Sequence, residues 1–160
     1  MMRRTMVSYF SATGTTERAA KVLAKTAGAD LFKIAPAEPY TRRDLNWNDS
    51  SSRTSMECCD DSARPELQGS CPDLTSYDVV FVGFPIWRYV EPRIVDSFLD
   101  SVDLAGKIVV PFATSGGSGI SRATERIRML RPEARVLDGR MLNGSPSQSE
   151  VAAWVKALEL

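Results

Sequence analysis

Short apolar runs alternate with stretches in which apolar residues recur at helical spacing, and this alternation spans most of the 160-residue chain. The runs predict strands at residues 5–10, 30–34, 79–83, 107–113 and 134–137. The helical spacing predicts helices at residues 16–27, 92–102, 118–130 and 147–158. Strands that alternate with helices in this way are typical of an α/β domain whose parallel sheet is covered on both faces.

The last part of the sheet is less regular in its pattern. Pro111 falls inside the fourth predicted strand, where its missing N–H group interrupts a ladder of hydrogen bonds. Residues 139–143 either extend the fifth strand or form a small hairpin. We expect one domain, residues 1–160, with an irregular insertion at about residues 35–77.

Residues 35–77, which we call the excursion, lack any sustained periodicity and contain all three cysteines. A structureless loop of this length is unusual inside a domain unless it has a function. The alternative is a disordered insertion. Apolar residues distributed along it favour a packed segment with short helical turns. These anchors are Tyr40, Leu45, Trp47, Met56 and Leu67.

A hydroxyl-rich turn joins the first predicted strand to the first predicted helix. Its residues are Ser11, Ala12, Thr13, Gly14, Thr15 and Thr16. The first N–H groups of a helix have no partner within the helix, and together with the helix dipole they favour an anion. Gly14 permits a tight turn close to a ligand. The turn is interpreted as a phosphate cradle, and the alternative is an ordinary strand-to-helix turn.

The sequence of the turn excludes two common classes of phosphate-binding loop. The nucleoside-triphosphate loop requires a Lys before a Ser or Thr, and the turn has no Lys or Arg. The dinucleotide pattern G-x-G-x-x-G is also absent from this turn. Neutral donors around one compact group favour a single terminal phosphate.

Two further motifs follow the third and fourth predicted strands. The first runs from Gly83 through Phe84 and Pro85 to Trp87, and the second is the segment 111–119, rich in Ser and Gly. With the hydroxyl-rich turn, these motifs resemble the phosphate and flavin-ring loops of flavodoxin-like proteins, and the excursion resembles an insertion found in one branch. Thr15 stands where that family commonly has Asn.

The resemblance implies a flavodoxin-like three-layer sandwich, with a five-stranded parallel sheet of order 2-1-3-4-5 and helices on both faces. It also implies FMN as the cofactor. The hydroxyl-rich turn would then bind the FMN phosphate. The residues expected at the flavin ring are Pro85, Ile86, Trp87, Arg88, Tyr89, Ser115, Gly116, Gly117, Ser118 and Gly119.

Side-chain chemistry gives these ring residues distinct roles. Trp87 and Tyr89 offer flat faces for stacking, although Trp87 would also suit a core position. The glycine loop can approach the pyrimidine edge of the flavin; its alternatives are a helix-capping connection or a phosphate nest for NADPH. Arg88 either faces the flavin or points outward, and we favour the outward position. Arg122 and Arg126 could meet the phosphate of a nicotinamide cofactor, but we favour a solvated helix face for both.

Composition narrows the chemistry further. Lys and Arg together number 20, as do Asp and Glu, so the net charge is zero and no basic patch indicates nucleic-acid binding. This balance differs from the acidic flavodoxins. No histidine is present, which excludes Ser-His-Asp catalysis, and neither a catalytic residue nor a metal site is predicted. The three cysteines are expected to be reduced thiols.

Arg3 and Arg4 precede no long apolar segment, so the sequence predicts no signal or membrane span and a cytoplasmic protein. We expect electron transfer with a redox partner protein or NAD(P)H reductase, by a monomer or weak dimer. The alternative is an NAD(P)H-dependent flavin or quinone oxidoreductase, and a third reading is a flavin-free anion-binding module. Fold alone does not distinguish these functions.

Overall fold

The computed structural model describes residues 3–160 and contains a parallel sheet between two layers of helices. The strands are β1 Thr5–Tyr9, β2 Asp30–Lys33, β3 Val79–Pro85, β4 Ile108–Thr114, β5 Arg135–Val136 and β6 Arg140–Met141. The helices are α1 Thr15–Ala27, α2 Arg53–Cys58, α3 Arg93–Ser101, α4 Ser121–Leu130 and α5 Gln148–Ala157. The strand order β2-β1-β3-β4-β5 confirms the predicted topology. Among the residues described, no helix combines the length and apolarity needed to cross a lipid bilayer.

Two apolar cores cover the two faces of the sheet. On one face, Leu23 of α1 and Val151 of α5 pack with alternate residues of β3 and β4. On the other face, Phe98 of α3 and Ile127 of α4 pack with the intervening residues of the same strands. The central strands are therefore buried on both sides, which explains their continuous apolar sequences.

The irregular edge of the sheet is caused by Pro111. β4 accepts hydrogen bonds from this edge at Val109 and Ala113, with N–O distances of 2.9 and 2.8 Å. Pro111 lies between them and has no N–H group to donate. The edge strand is accordingly divided into β5 and β6, both parallel to β4. Residues 139–143 thus extend the edge and do not form a hairpin, and a Cβ atom on Gly139 would lie only 2.9 Å from the Pro111 carbonyl oxygen.

The excursion is packed against the rest of the domain through Tyr40 and Leu67, whereas the expected anchors Trp47 and Met56 are exposed. Pro36 and Leu67 form an antiparallel bridge near its two ends. Ser52 caps α2 by accepting a hydrogen bond from the Ser55 N–H group. Tyr40 and Leu67 contact the same core as α3 and α4. The excursion therefore forms a wall beside the sheet edge where the predicted loops lie.

Candidate functional site

The three predicted loops lie together at one edge of the sheet. The first loop (residues 10–14) follows β1, the second (residues 86–92) follows β3, and the third (residues 115–120) follows β4. Because β1, β3 and β4 are adjacent and parallel, their carboxyl ends meet. Ligands in such sheets bind outside the carboxyl ends of the strands, a rule for which flavodoxin is itself a standard illustration.

The first loop leaves the N-terminus of α1 open. Gly14 precedes the helix with a φ of 93°, a left-handed conformation that favours glycine. In the described chain, no side chain caps α1. The first helical hydrogen bond runs from the Arg18 N–H group to the Gly14 carbonyl at 3.2 Å, so the N–H groups before Arg18 have no helical acceptor. This arrangement suits an anion.

The hydroxyl groups of the first loop have different partners. Ser11 Oγ accepts a hydrogen bond from the Gly14 N–H group at 3.0 Å, which leaves the hydroxyl hydrogen available to donate. Thr16 Oγ1 is buried and lies 2.8 Å from Thr114 Oγ1, so this hydroxyl links α1 to the end of β4. Of the expected phosphate-binding hydroxyls, Thr16 is thus engaged in packing, which leaves Ser11 and Thr13 in the first loop and Thr15 at the start of α1.

A tyrosine and a glutamate flank the first turn of α1. The Tyr9 hydroxyl donates to Glu17 Oε1 at 2.8 Å. Burial, followed by this carboxylate, raises the pKa of Tyr9 to about 12, and the same hydrogen bond lowers the pKa of Glu17. Tyr9 therefore stays neutral near pH 7, and the Glu17 carboxylate is held toward β1.

The second loop contains a tight two-residue turn. The Trp87 N–H group donates to the Val90 carbonyl at 2.9 Å, and the Val90 N–H group donates back at 3.3 Å. Between them, Arg88 has a φ of 50° and Tyr89 a φ of 74°. Left-handed conformations cost about 1–2 kcal/mol for residues other than glycine, and such strain concentrates at functional sites.

Trp87 is half-buried in an aromatic cluster that includes the excursion. Its ring meets Phe10 and Tyr40 edge-on, with centroid distances of 5.5 and 5.2 Å. The Arg53 guanidinium lies 3.9 Å from the Tyr40 ring centroid, and the Tyr40 hydroxyl donates to Glu57 at 2.6 Å. Burial and then this carboxylate raise the pKa of Tyr40. Trp87 thus contributes to the packing of the domain, independently of any contact with a ligand.

Arg88 and Tyr89 point in different directions. The Arg88 guanidinium donates to the Trp47 carbonyl and to Ser55 Oγ, both at 3.1 Å, so it binds the excursion although Arg88 is exposed. Tyr89 is 57% exposed, and the Arg122 guanidinium lies 5.1 Å from its ring centroid. Arg122 therefore contacts the second loop from the exposed face of α4, where it was expected.

The third loop is closed by its own serine. Ser115 Oγ accepts hydrogen bonds from Gly117 N–H at 3.2 Å and from Ser118 N–H at 3.0 Å. The Ser115 N–H group donates to Asn143 Oδ1 at 2.7 Å, a contact that sequence analysis missed. No protein atom lies within 4 Å of a Cβ atom built on Gly117, and its φ is outside the left-handed region. The space beside Gly117 is open.

A buried charge cluster, also missed by sequence analysis, lies directly behind the second loop. Glu91 and Asp96 are fully buried, and both accept hydrogen bonds from Arg126, at 2.6 and 2.8 Å. Burial, followed by the neighbouring Asp96 charge, raises the pKa of Glu91 to about 8. Arg126 is therefore part of this cluster, which corrects its expected place on a solvated face. Nothing in the sequence pairs Glu91 with Arg126.

The cysteines show no sign of activation. Cys58, Cys59 and Cys71 are all free thiols in the described chain. Burial raises the pKa values of Cys58 and Cys71, which reduces their thiolate fraction at neutral pH.

Comparison with known proteins identifies the family. Residues 4–158 match the family model described as flavodoxin. No curated protein matches the chain. A candidate flavoprotein from Bacteroides uniformis is 45% identical, with a TM-score of 0.93 over 98% of this chain and 99% of that one. Another from Bacteroides eggerthii is 43% identical, with a TM-score of 0.94 over 99% of both chains.

A more distant structure has the same fold. The flavoprotein from Lactobacillus acidophilus, solved in complex with FMN, is 20% identical to this chain and has a TM-score of 0.74. The match covers 96% of this chain and 99% of that one. The family match and the near-complete overlap with the two Bacteroides structures agree with the strand order. The chain belongs to the flavodoxin family.

Proposed function

We propose that this chain binds FMN at the carboxyl edge of its sheet and acts in electron transfer. The observation that carries the proposal is the open N-terminus of α1, with Gly14 in the left-handed conformation, beside the second and third loops. FMN supplies the redox chemistry when bound, while the protein supplies placement and electrostatics.

The first loop fits a terminal phosphate. Its donors are neutral, so binding rests on hydrogen bonds to a charged acceptor and on the positive end of the α1 dipole. The side chains that would hold the phosphate are Ser11, Thr13 and Thr15. The N–H groups of the first turn of α1 complete the set.

The second and third loops fit the flavin ring. Trp87 and Tyr89 present aromatic faces on the strained turn, and Tyr89 is the more exposed of the two. The open space at Gly116, Gly117 and Gly119 permits a flat ligand to approach the backbone closely. These loops would orient the ring and exclude water from one side of it.

The absorbance spectrum of the purified protein, before and after addition of FMN, tests this proposal. We expect protein-bound flavin absorbance to remain with one equivalent of FMN after gel filtration. Folded protein that retains no flavin would contradict FMN binding and favour an anion-binding module without a flavin.

Replacement of Gly117 by Val separates binding from folding. Because a side chain at Gly117 meets no protein atom within 4 Å, we expect an unchanged melting temperature but weaker FMN binding. Gly83→Ala is the contrasting control, since its Cβ atom would lie 2.1 Å from the Phe112 ring and should lower the melting temperature. Normal FMN affinity in Gly117→Val would show that the ring does not approach this loop.

A second candidate function is supported by the excursion. An open depression of about 610 Å³ is lined by Arg42, Arg43, Leu45, Asn46 and Trp47. Trp47 is 69% exposed, and its carbonyl is bound by Arg88 of the second loop. An exposed indole that lines the same depression as Arg42 and Arg43 could bind a planar anionic co-substrate such as NAD(P)H, as an oxidoreductase of this fold would require.

Anaerobic mixing with NADPH or NADH distinguishes the two functions. We expect slow loss of flavin absorbance with either nucleotide alone, because an electron carrier requires a partner reductase. Rapid bleaching, followed by turnover with a quinone, would instead favour the oxidoreductase. In that case Arg43→Ala should raise the KM for the nucleotide, whereas Lys156→Ala on α5 should leave it unchanged.

A further inference from the structure

The buried carboxyl groups of Glu91 and Asp96 each present one oxygen that has no partner. Neither residue has exposed surface, and a single guanidinium group, that of Arg126, binds both. The remaining oxygens, Glu91 Oε2 and Asp96 Oδ1, are buried without a hydrogen-bond partner among the described residues. Arg126 Nε binds Glu91 and Arg126 Nη2 binds Asp96, so the two carboxyl groups converge on one edge of the same guanidinium group. A proton on one carboxyl would supply a donor for these oxygens.

The charges around this pair lead to the same conclusion. The carboxylates of the cluster are Asp61 from the excursion, Glu91 from the second loop, and Asp96 and Asp100 from α3. The guanidinium groups are Arg64 from the excursion, Arg93 from α3 and Arg126 from α4. Asp61 and Asp100 are 83% and 49% exposed, so solvent screens their charges. Asp96 lies within 4 Å of all three guanidinium groups, whereas the Glu91 carboxyl is paired with Arg126 alone among the described residues. Glu91 is therefore the carboxyl that holds the proton.

We propose that Glu91 and Asp96 share one proton, and that this protonated pair positions the second loop for FMN. The inference rests on the proposed FMN binding. Glu91 is a positioning residue. It acts through the preceding residues of the second loop and is not one of the residues expected to contact the flavin ring.

The connections of the cluster explain how it positions the loop. Glu91 directly follows Val90, which closes the strained turn, and Arg93 Nη1 donates to the Glu91 carbonyl at 3.3 Å. Arg126 comes from α4, which begins just after the third loop. The cluster therefore joins the bases of both loops that would contact the ring. Two buried adjacent carboxylates repel each other, so loss of the proton should displace the second loop.

The proton is held at neutral pH. Burial and the Asp96 charge raise the pKa of Glu91 to about 8, whereas a Glu in the unfolded chain ionises near its ordinary value. The folded state thus binds more protons between these two values, and stability falls as the pH rises across that window. Ionisation in the folded protein is centred at about pH 8. FMN affinity should therefore decline in that alkaline range.

Fluorescence titration of FMN against pH, with three proteins, tests the inference. For one linked proton, the wild-type Kd should rise about tenfold between about pH 7 and about pH 9. Glu91→Gln replaces the protonated carboxyl by a neutral amide that still donates to Asp96, so its Kd should match the wild type near pH 7 and stay constant. Glu38→Gln, which removes an exposed carboxylate of the excursion, should behave like the wild type. Ionisations of FMN affect all three proteins alike.

A second measurement requires no flavin. Infrared difference spectra of the apoprotein should show a carboxylic-acid carbonyl band that is lost above about pH 8 in the wild type. The band should be absent from Glu91→Gln. If Glu91→Gln does not fold, Asp96→Asn serves instead, because Glu91 would then face Arg126 without a second carboxylate and should ionise at lower pH.

The outcomes separate the two proposals. A wild-type Kd that stays constant to alkaline pH, an identical decline in Glu91→Gln, or a missing infrared band would each overturn the shared proton or its positioning role while FMN binding stands. Folded protein that binds no FMN at any pH would instead overturn the proposed function, and the positioning role with it.

Discussion

FMN is expected to bind this protein at least about 100-fold more tightly than riboflavin, a difference of about 2.8 kcal/mol. The two flavins differ only in the phosphate, which the open N-terminus of α1 and the first-loop hydroxyls would receive. A hydrogen bond to a charged acceptor contributes about 1.5–3 kcal/mol, and several donors converge at this loop. Quenching of flavin fluorescence during titration measures both affinities.

Two glycines at opposite ends of α1 provide a matched pair of variants. Gly14 and Gly28 both have positive φ angles, 93° and 62°, and neither has a protein atom within 4 Å of an added Cβ atom. Alanine at either position should destabilise the fold by about 1–2 kcal/mol. Only Gly14→Ala should weaken FMN binding, and it should leave riboflavin binding unchanged. Equal affinities for the two flavins in the wild type would contradict a phosphate site.

Replacement of Trp87 by Ala is expected to lower both stability and flavin affinity. The variant loses two edge-to-face contacts, with Phe10 and Tyr40, each worth about 0.5–1.5 kcal/mol, together with buried indole surface. We expect a loss of about 2–3 kcal/mol in the free energy of unfolding, less than for a fully buried Trp. Denaturant titration of the apoprotein measures this loss without any contribution from flavin.

The variant Tyr89→Ala separates the effect of the side chain on protein stability from its effect on stacking with the flavin ring. Tyr89 is exposed and contacts Arg122, an interaction of about 0.5–1 kcal/mol at such a site, so unfolding should change little. Stacking of a ring on an aromatic side chain contributes about 1–3 kcal/mol. At least one of the variants Trp87→Ala and Tyr89→Ala should therefore lose this much free energy of FMN binding. Unchanged affinity in both would mean that the flavin ring lies elsewhere.

The strand order of the sheet could be predicted from the sequence because each central strand is a continuous run of apolar residues, which is visible locally. The apolar stretch of β3 is continuous because both its faces are covered, and Gly28 ends α1 in the left-handed conformation typical of that position. The position of the three loops also followed, since parallel strands bring their carboxyl ends to one edge.

The edge of the sheet could not be resolved in the same way. Pro111 was visible as an anomaly, but its effect falls on residues about 30 positions later, where the partner strand divides into β5 and β6. Gly139 faces Pro111 across this break. A local pattern does not contain such a pairing, because register is fixed by the neighbouring strand.

The hydrogen-bond partners of the site residues could not be predicted from the sequence either. Thr16 was expected at a phosphate but shares its hydrogen bond with Thr114, which is distant in sequence. Arg88 is exposed, in keeping with the favoured outward position, but its guanidinium binds the excursion, a contact that was not expected. Residue types and loop positions were readable, whereas long-range contacts between polar groups depend on the packing of whole elements.

The position of β1 in the sheet affects the order in which the protein can assemble during synthesis. β1 is made first yet lies between β2 and β3, so one of its edges has no partner until β3 has been translated. The entire excursion leaves the ribosome in that interval. An unpaired strand edge can pair with other chains. A nascent or truncated chain that ends within the excursion therefore contains only two of the six strands, and should depend on chaperones to avoid aggregation.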